Sequence, residues 1–330
     1  MVALMRQTVD EHLDRVVAVD WSGRIDTAGQ RRHIWAGVWT ASSAGATVTG
    51  DAQTGGTVTL EAGRTREELI GWLVELASQT PRMVVGIDCC FSYPAWFLEE
   101  HDCRTVFEFW QHVADGHGER WLAREREGVS RDNRFWGKPH KRPEEFSGER
   151  LHRMMRQTDM DNKITPRLLI DGVVADAERA AKMFGITPKS PFQIGGSGSV
   201  GTGSLRAIPF LLRLREAGFC VWPFESSGLA ETAPRPLLVE MYTRLLTGAV
   251  AKSNPVARKA YLAARRKIEP AYARLSRDVL RKAFESEDAF DALVCAMEMV
   301  RDRKEFLELK RTEDAVLRLE GITWRPGVAG

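Results

Sequence analysis

Three acidic residues sit at or near the ends of otherwise apolar runs: Asp20 in VVAVDWSG, Asp88 in VVGIDCCF and Glu240 in LLVEMYT. Such runs read as sheet strands, and strands disfavour aspartate. Carboxylates are rarely taken into a protein interior unless they are paired or bound to a cation. Each acid alone is equally well explained as a turn residue or as half of an internal ion pair. Three of them constrain the fold more tightly, because the strands that carry them must bring a place for their charge.

The strands fall into a pattern. RVVAVDWSG (15–23), RRHIWAGVWTA (31–41) and GTVTLEAG (56–63) have the β-branched or alternating composition of an antiparallel meander. Thr65 and Glu68 then form a capping-box signature ahead of LIGWLVELASQ. The spacing predicts a helix over 65–79, with Leu69, Trp72, Leu73 and Leu76 on one face. MVVGIDCCFSYP (83–94) is continuously apolar, as a strand buried on both faces should be. FCVWPFE (219–225) and PLLVEMYT (236–243) resume the strand pattern after a helical segment, SLRAIPFLLRLREAG, in which Pro209 is expected near the first turn or at a kink. AVLRLEGITWRP reads as a closing strand or hairpin. The expectation is a single α/β domain with its core over about 15–94 and 195–330. It carries a helical insertion at about 95–190 and a basic helical insertion at about 250–283.

A fourth acid lies on a helix. Ser286 is placed to cap EDAFDALVCAMEMVRDR, and Asp288 and Asp291 are three residues apart on one face of it. The helix dipole accounts for Glu287 and Asp288 in the first turn. It accounts less well for Asp291, which is flanked by apolar residues in the second turn. Carboxylates brought together raise one another's pKa, and a divalent cation relieves that repulsion. Oxygen-only ligands favour Mg²⁺ or Mn²⁺, which activate water and stabilise a leaving oxygen in phosphodiester cleavage. Asp20, Asp88, Glu240 and Asp291 are the candidate catalytic residues, and these four with Asp288 the candidate metal ligands.

The net charge of +2 hides an uneven distribution. Residues 252–282 hold ten Lys/Arg against Glu269 and Asp278 alone, and residues 120–167 hold thirteen against eight acids. Basic stretches between acidic strands suit a polyanionic partner, with nucleic acid the expected one. Ser22, Gly198, Ser199, Arg244, Arg265, Arg266 and Lys267 are the candidate substrate contacts. Gly196, Gly198 and Gly201 spell a literal GxGxxG, but no acid follows at the distance a dinucleotide site requires, so a phosphate-touching loop or a structural turn fits better. Trp121, Phe135 and Trp136 lie among arginines, as base-stacking residues do, but core packing is the expected use. His101, His112, His117, His140 and His152 lack zinc-ligand spacing, and Cys89 and Cys90 lack a histidine partner motif. Five cysteines without a CxxC pair, a charged start and no long apolar run point to a reduced, cytoplasmic protein with no membrane partner.

The segments VVAVDWSG, VVGIDCCFSYP, PRPLLVEMYTRLL and SEDAFDALVCAMEM followed by EGITWRP together resemble the RNase H-like superfamily. More narrowly they resemble its predicted-nuclease group, domain of unknown function 429. The resemblance implies a mixed five-stranded sheet flanked by helices, with Asp20 as central metal ligand, Asp88 as the fourth-strand acid and Asp291 as the helix ligand. Asp288 resembles the accessory acid of junction resolvases, and Glu240 matches the narrower group only. The implied activity is metal-dependent cleavage of DNA or RNA. The alternatives are an ATP-dependent phosphotransferase of the actin and sugar-kinase type, and a nucleic-acid binder whose acids are structural.

Overall fold

A computed structural model describes residues 13–42, 55–123, 132–137, 142–146, 152–162, 186, 188–196, 199–248 and 250–328. Six strands form one sheet: β1 Arg15–Asp20, β2 Trp35–Ala41, β3 Gly56–Glu61, β4 Met83–Asp88, β5 Cys220–Trp222 and β6 Leu237–Met241, in the order β3-β2-β1-β4-β6-β5. β1, β2 and β3 pair antiparallel, as expected of a meander. β4, β6 and β5 run parallel to β1. The sheet has one strand more than the five that the resemblance implies: FCVWP and LLVEM both join it, as their strand pattern predicts, and β5 forms its far edge.

Between β1 and β2 the chain makes a helix, α1 Thr27–His33, where a strand was expected from residue 31. Asp26 caps it by accepting from the Gly29 N–H, and this local bond outweighs the β-propensity of the following residues. α2, Arg66–Gln79, starts at the expected capping box, with both reciprocal bonds between Thr65 and Glu68 formed. Its fully buried face is Leu69, Ile70, Leu73 and Ala77, while Trp72 and Leu76 lie at its margin, a rotation of one position from the expected stripe. α3, Gly201–Glu216, carries Pro209 in its middle rather than its first turn. The basic stretch forms α4 Pro255–Ile268 and α5 Arg277–Glu285, and Ser286 caps α6 Glu287–Arg301 as expected. The closing segment contains a short helix, Leu317–Glu320, and only a single bridge from Trp324 to Met241 in place of a strand or hairpin.

Alternation along β1 divides the core. Val17 and Val19 face the layer built by α2 and α3, and Val16 and Ala18 face the layer that includes α6. α6 lies close on β2 because residue 37 is glycine: a Cβ there would stand 2.3 Å from the Ala292 carbonyl oxygen. That approach brings the second turn of α6, and so Asp291, down onto the sheet. The aromatics of the region after β4 are packing residues. Trp121, Phe135 and Trp136 are all buried, and Trp121 stacks on Phe135 at a centroid distance of 5.6 Å, beside Phe97 at 5.0 Å.

Candidate active site

β1 and β4 are adjacent and parallel, with Val19 opposite Ile87, so Asp20 and Asp88 emerge side by side at the carboxyl ends of their strands. Ligand sites of open α/β sheets form at this edge. Asp291 arrives from α6 with its side chain only 1% exposed. One oxygen of its carboxylate, Oδ2, takes a hydrogen bond from the Lys252 ammonium. The other, Oδ1, is buried with no hydrogen-bond partner. The Asp88 carboxylate accepts from Thr243, through its N–H at a long 3.4 Å and through its side chain. That of Asp20 accepts none among the described residues.

The charges of these groups act on one another. Burial, then Asp291, Asp88 and Asp288, drive the Asp20 carboxyl well above the usual range, with Lys252 opposing. Burial pushes Asp88 up to about 6 against the pull of Lys252, and Asp291 up to about 7 against the same ammonium. Burial would lower the Lys252 ammonium, but Asp291, Asp20 and Asp88 outweigh it and hold it above its ordinary value. Among the described residues no three His, Cys, Asp or Glu side chains form a ready-made metal cage. The Lys252 ammonium instead pairs with Asp291 and lies 3.8 Å from Glu287.

The other two candidate ligands are engaged elsewhere. Asp288 is drawn to His33, 2.9 Å from carboxylate oxygen to Nδ1. Glu240 is 2% exposed and fully occupied: Arg156 donates to both of its oxygens at 2.7 Å, the Thr323 hydroxyl at 2.6 Å and the Phe91 N–H at 2.6 Å. Asp159 takes two further Arg156 donors, at 2.9 and 3.0 Å, and the Glu320 carbonyl accepts another at 3.3 Å. Glu240 is thus one half of a buried ion pair tying Arg156 to the sheet, the plainer of its two sequence readings, and its place among the candidate ligands is corrected accordingly.

A cleft of about 890 Å³ opens beside Asp88 and Lys252. Its wall includes Trp21, Ser22, Ser199, Tyr242 and Thr243, with Arg24, Lys189, Arg206 and Arg244 supplying positive charge. Arg206 is held by Glu119 at 2.9 Å and by the Gly23 carbonyl at 2.6 Å, and Arg244 donates to the Val250 carbonyl at 2.7 Å. Arg24 and Lys189 are exposed, and their side chains make no bond among the described residues. Gly23 permits the wall to close, since a Cβ there would stand 2.8 Å from the Gly203 backbone nitrogen at the start of α3. Trp21 fixes the same junction by donating to the Gly203 carbonyl at 3.0 Å.

Of the expected substrate contacts, Ser22, Ser199 and Arg244 line this cleft. Gly198 lies outside the described residues. Arg265, Arg266 and Lys267 do not line the cleft: Arg265 pairs with Glu269 and Glu298, while Arg266 and Lys267 project from α4 into solvent. Arg258, also in the basic stretch, is buried and donates to the Ala283 and Phe284 carbonyls, so part of that charge excess is scaffold. Cys89 and Cys90 are buried, and burial raises both thiols, which makes them poor nucleophiles. Lys252, Arg156, Lys189 and Arg24 were not singled out by motif. Lys252 opens the basic stretch, but nothing in its local spacing separates it from the solvent-facing lysines that follow. No helix among the described residues is long and apolar enough to cross a membrane. No protein-family model, curated protein or solved structure matches the chain.

Proposed function

We propose that the chain is an RNase H-like nuclease that cleaves phosphodiester bonds of DNA or RNA with Mg²⁺ or Mn²⁺ held by Asp20, Asp88 and Asp291. The observation that carries this reading is Asp20 and Asp88 side by side at the carboxyl ends of β1 and β4, with the Asp291 charge of α6 acting on Asp20, and with Asp88 lining a cleft that has basic residues on its wall. The buried Asp291 Oδ1 without a partner and the unbonded Asp20 carboxylate are oxygen donors suited to a hard cation. The antiparallel β1–β3 unit followed by parallel β4 supports the RNase H-like resemblance.

When bound, the ion would supply Lewis acidity and lower the pKa of a water so that hydroxide is available to attack phosphorus. The chain's own part is to hold three carboxylates on rigid elements, with Asp88 further oriented by the Thr243 N–H. Arg24 and Lys189, exposed on the cleft wall, are suited to contacting the phosphates of a polyanion.

Purified chain incubated with single- and double-stranded DNA and RNA plus Mn²⁺, beside Asp20→Asn and Asp291→Asn, tests the reading. Metal-dependent cleavage that both variants lose is expected. Equal cleavage by all three proteins, or none by any, overturns it.

A further inference from the structure

The loop between β1 and α1 is held by its backbone and open at its side chains. Every carbonyl from Ser22 to Ile25 accepts from a side chain carried by one of three helices. Arg66, at the start of α2, donates to Ser22 at 3.1 Å and to Arg24 at 2.5 Å. Arg206 on α3 donates to Gly23 at 2.6 Å, and Gln30 on α1 to Ile25 at 2.9 Å. Gln30 in turn accepts from the Arg66 N–H at 3.1 Å, so two of the donors are themselves joined.

This fixed backbone presents Arg24 and Ile25 on the wall of the cleft. Ile25 is 73% exposed. Single exposed apolar residues are ordinary on a protein surface. Among the described residues Val256, Ile268 and Val316 are also exposed, and none of them lines the cleft. Ile25 differs in its setting: it lines a concavity, beside an exposed guanidinium, on a backbone whose freedom is already spent. A contact loop ordered in advance lowers the entropy cost of binding.

The ligand class follows from that pairing. A cation next to an exposed aliphatic group matches a phosphate next to an apolar face, as in a nucleotide unit. Tyr242 adds an aromatic ring to the same cleft and is packed on Ile186 and Leu245. A duplex stacks its base faces on one another and presents edges and phosphates, and the elements that read its grooves protrude, as a helix or a two-stranded ribbon does. Ile25 lies instead on the wall of a cleft of about 890 Å³, within the size range of small-ligand sites. A single strand can splay its bases and offer their faces.

We propose that the cleft takes nucleic acid as a single strand, with an unpaired base against Ile25 and the neighbouring phosphate on Arg24. The proposal rests on the nucleic-acid part of the reading above and on no arrangement of metal.

Fluorescence anisotropy of the full chain, with Ca²⁺ in place of Mn²⁺ so that strands stay intact, compares labelled probes of one length: a mixed-sequence single strand, its blunt duplex, and a single strand abasic throughout. The normal single strand is expected to bind at least about tenfold more tightly than the other two. Ile25→Ser is expected to weaken its binding about fivefold without changing the salt slope, because apolar contact is removed and no charge. Val256→Ser, at a residue 72% exposed outside the cleft, is expected to change nothing. Duplex or abasic strand bound as tightly as the normal strand, or Ile25→Ser binding like the wild type, overturns the proposal and leaves the nuclease reading standing. A single-strand preference that depends on Ile25, without cleavage once Mn²⁺ is supplied, upholds the proposal and sinks the nuclease reading. No binding of any probe overturns both. The wild-type comparison of probes decides the strand preference without any variant.

Discussion

Lys252 and Asp291 form a one-sided pair: the ammonium satisfies Oδ2 of a carboxylate whose Oδ1 is buried and unsatisfied. A buried acceptor left without a donor costs on the order of 1–3 kcal/mol. In the metal-free chain that cost is met near Asp20 and Asp88, whose own charges resist one ammonium's compensation. The fold therefore carries unfavourable electrostatics at this place, which a cation bound there would relieve, and this gives the following predictions their direction.

The metal-free chain should lose stability as pH rises through the site's titration range. Asp88 and Asp291 are raised to about 6 and about 7, whereas unfolded aspartates titrate near 4. A carboxyl raised on folding binds more protons in the native state, so its stabilisation is present at acid pH and fades as pH climbs between the two values. Lys252, held above its ordinary value, stays charged throughout this window. Thermal melts with chelator present should show the wild type falling relative to Asp291→Asn between about pH 4 and pH 7, from the unfolded value to the raised native one. A constant difference between the two proteins would contradict the assignment.

Asp20→Asn should stabilise the metal-free protein near pH 8 while abolishing Mn²⁺-dependent stabilisation. The Asp20 carboxyl is raised by burial and by three neighbouring acids, and asparagine keeps its shape without the charge. A gain on the order of 1 kcal/mol is expected, the usual direction where function imposes strain on stability. Denaturant midpoints with and without Mn²⁺ measure it, and a loss of stability on substitution would oppose it.

Glu240 and Arg156 should behave as structure and not as metal chemistry. Removing one partner of a buried, hydrogen-bonded pair costs about 3–5 kcal/mol because the other charge is stranded. Glu240→Gln is therefore expected to lower the unfolding midpoint while Mn²⁺ binding at the remaining folded fraction keeps its affinity. Arg156→Met should destabilise comparably, and the double variant by less than the sum. Urea unfolding of the four proteins closes this cycle, and additive losses would show that the two residues do not act as a pair.

These residues mark how far the sequence carries. The three strand acids stood out because an apolar run rarely ends in a carboxylate, and the register of β1 against β4 places Asp20 beside Asp88 without further information. Asp291 stood out by lying in a second turn where the helix dipole no longer explains it. Glu240 carried the same local signal as Asp88, yet its partner Arg156 is 84 positions away, and no periodicity links residues over that distance. Lys252 was hidden for a related reason. Whether a lysine reaches a buried acid depends on the loop path set by Arg258 and Arg244, which tertiary packing decides. The edge strand was legible as a sheet strand, but its place at the far edge beyond β6 was not, since pairing order is a non-local property. Local chemistry also overrode pattern at Asp26, whose cap turned the start of an expected strand into a helix.

The basic wall should contribute to polyanion binding residue by residue, and α4 should not. Arg24 and Lys189 are exposed on the cleft with no bond among the described residues, whereas Arg266 and Lys267 project from a helix that does not line it. Each cation that neutralises a phosphate adds roughly 0.7–0.9 to the slope of log affinity against log salt, from counterion release. Arg24→Ala and Lys189→Ala are each expected to flatten that slope by about that amount and to weaken binding of a mixed-sequence oligonucleotide without sequence preference. Arg266→Ala and Lys267→Ala are expected to leave the slope unchanged. Fluorescence anisotropy at several salt concentrations, with Ca²⁺ in place of Mn²⁺ to prevent cleavage, gives the four slopes. A larger change from the α4 variants than from the cleft variants would move the nucleic-acid surface to the basic helix and away from the aspartates.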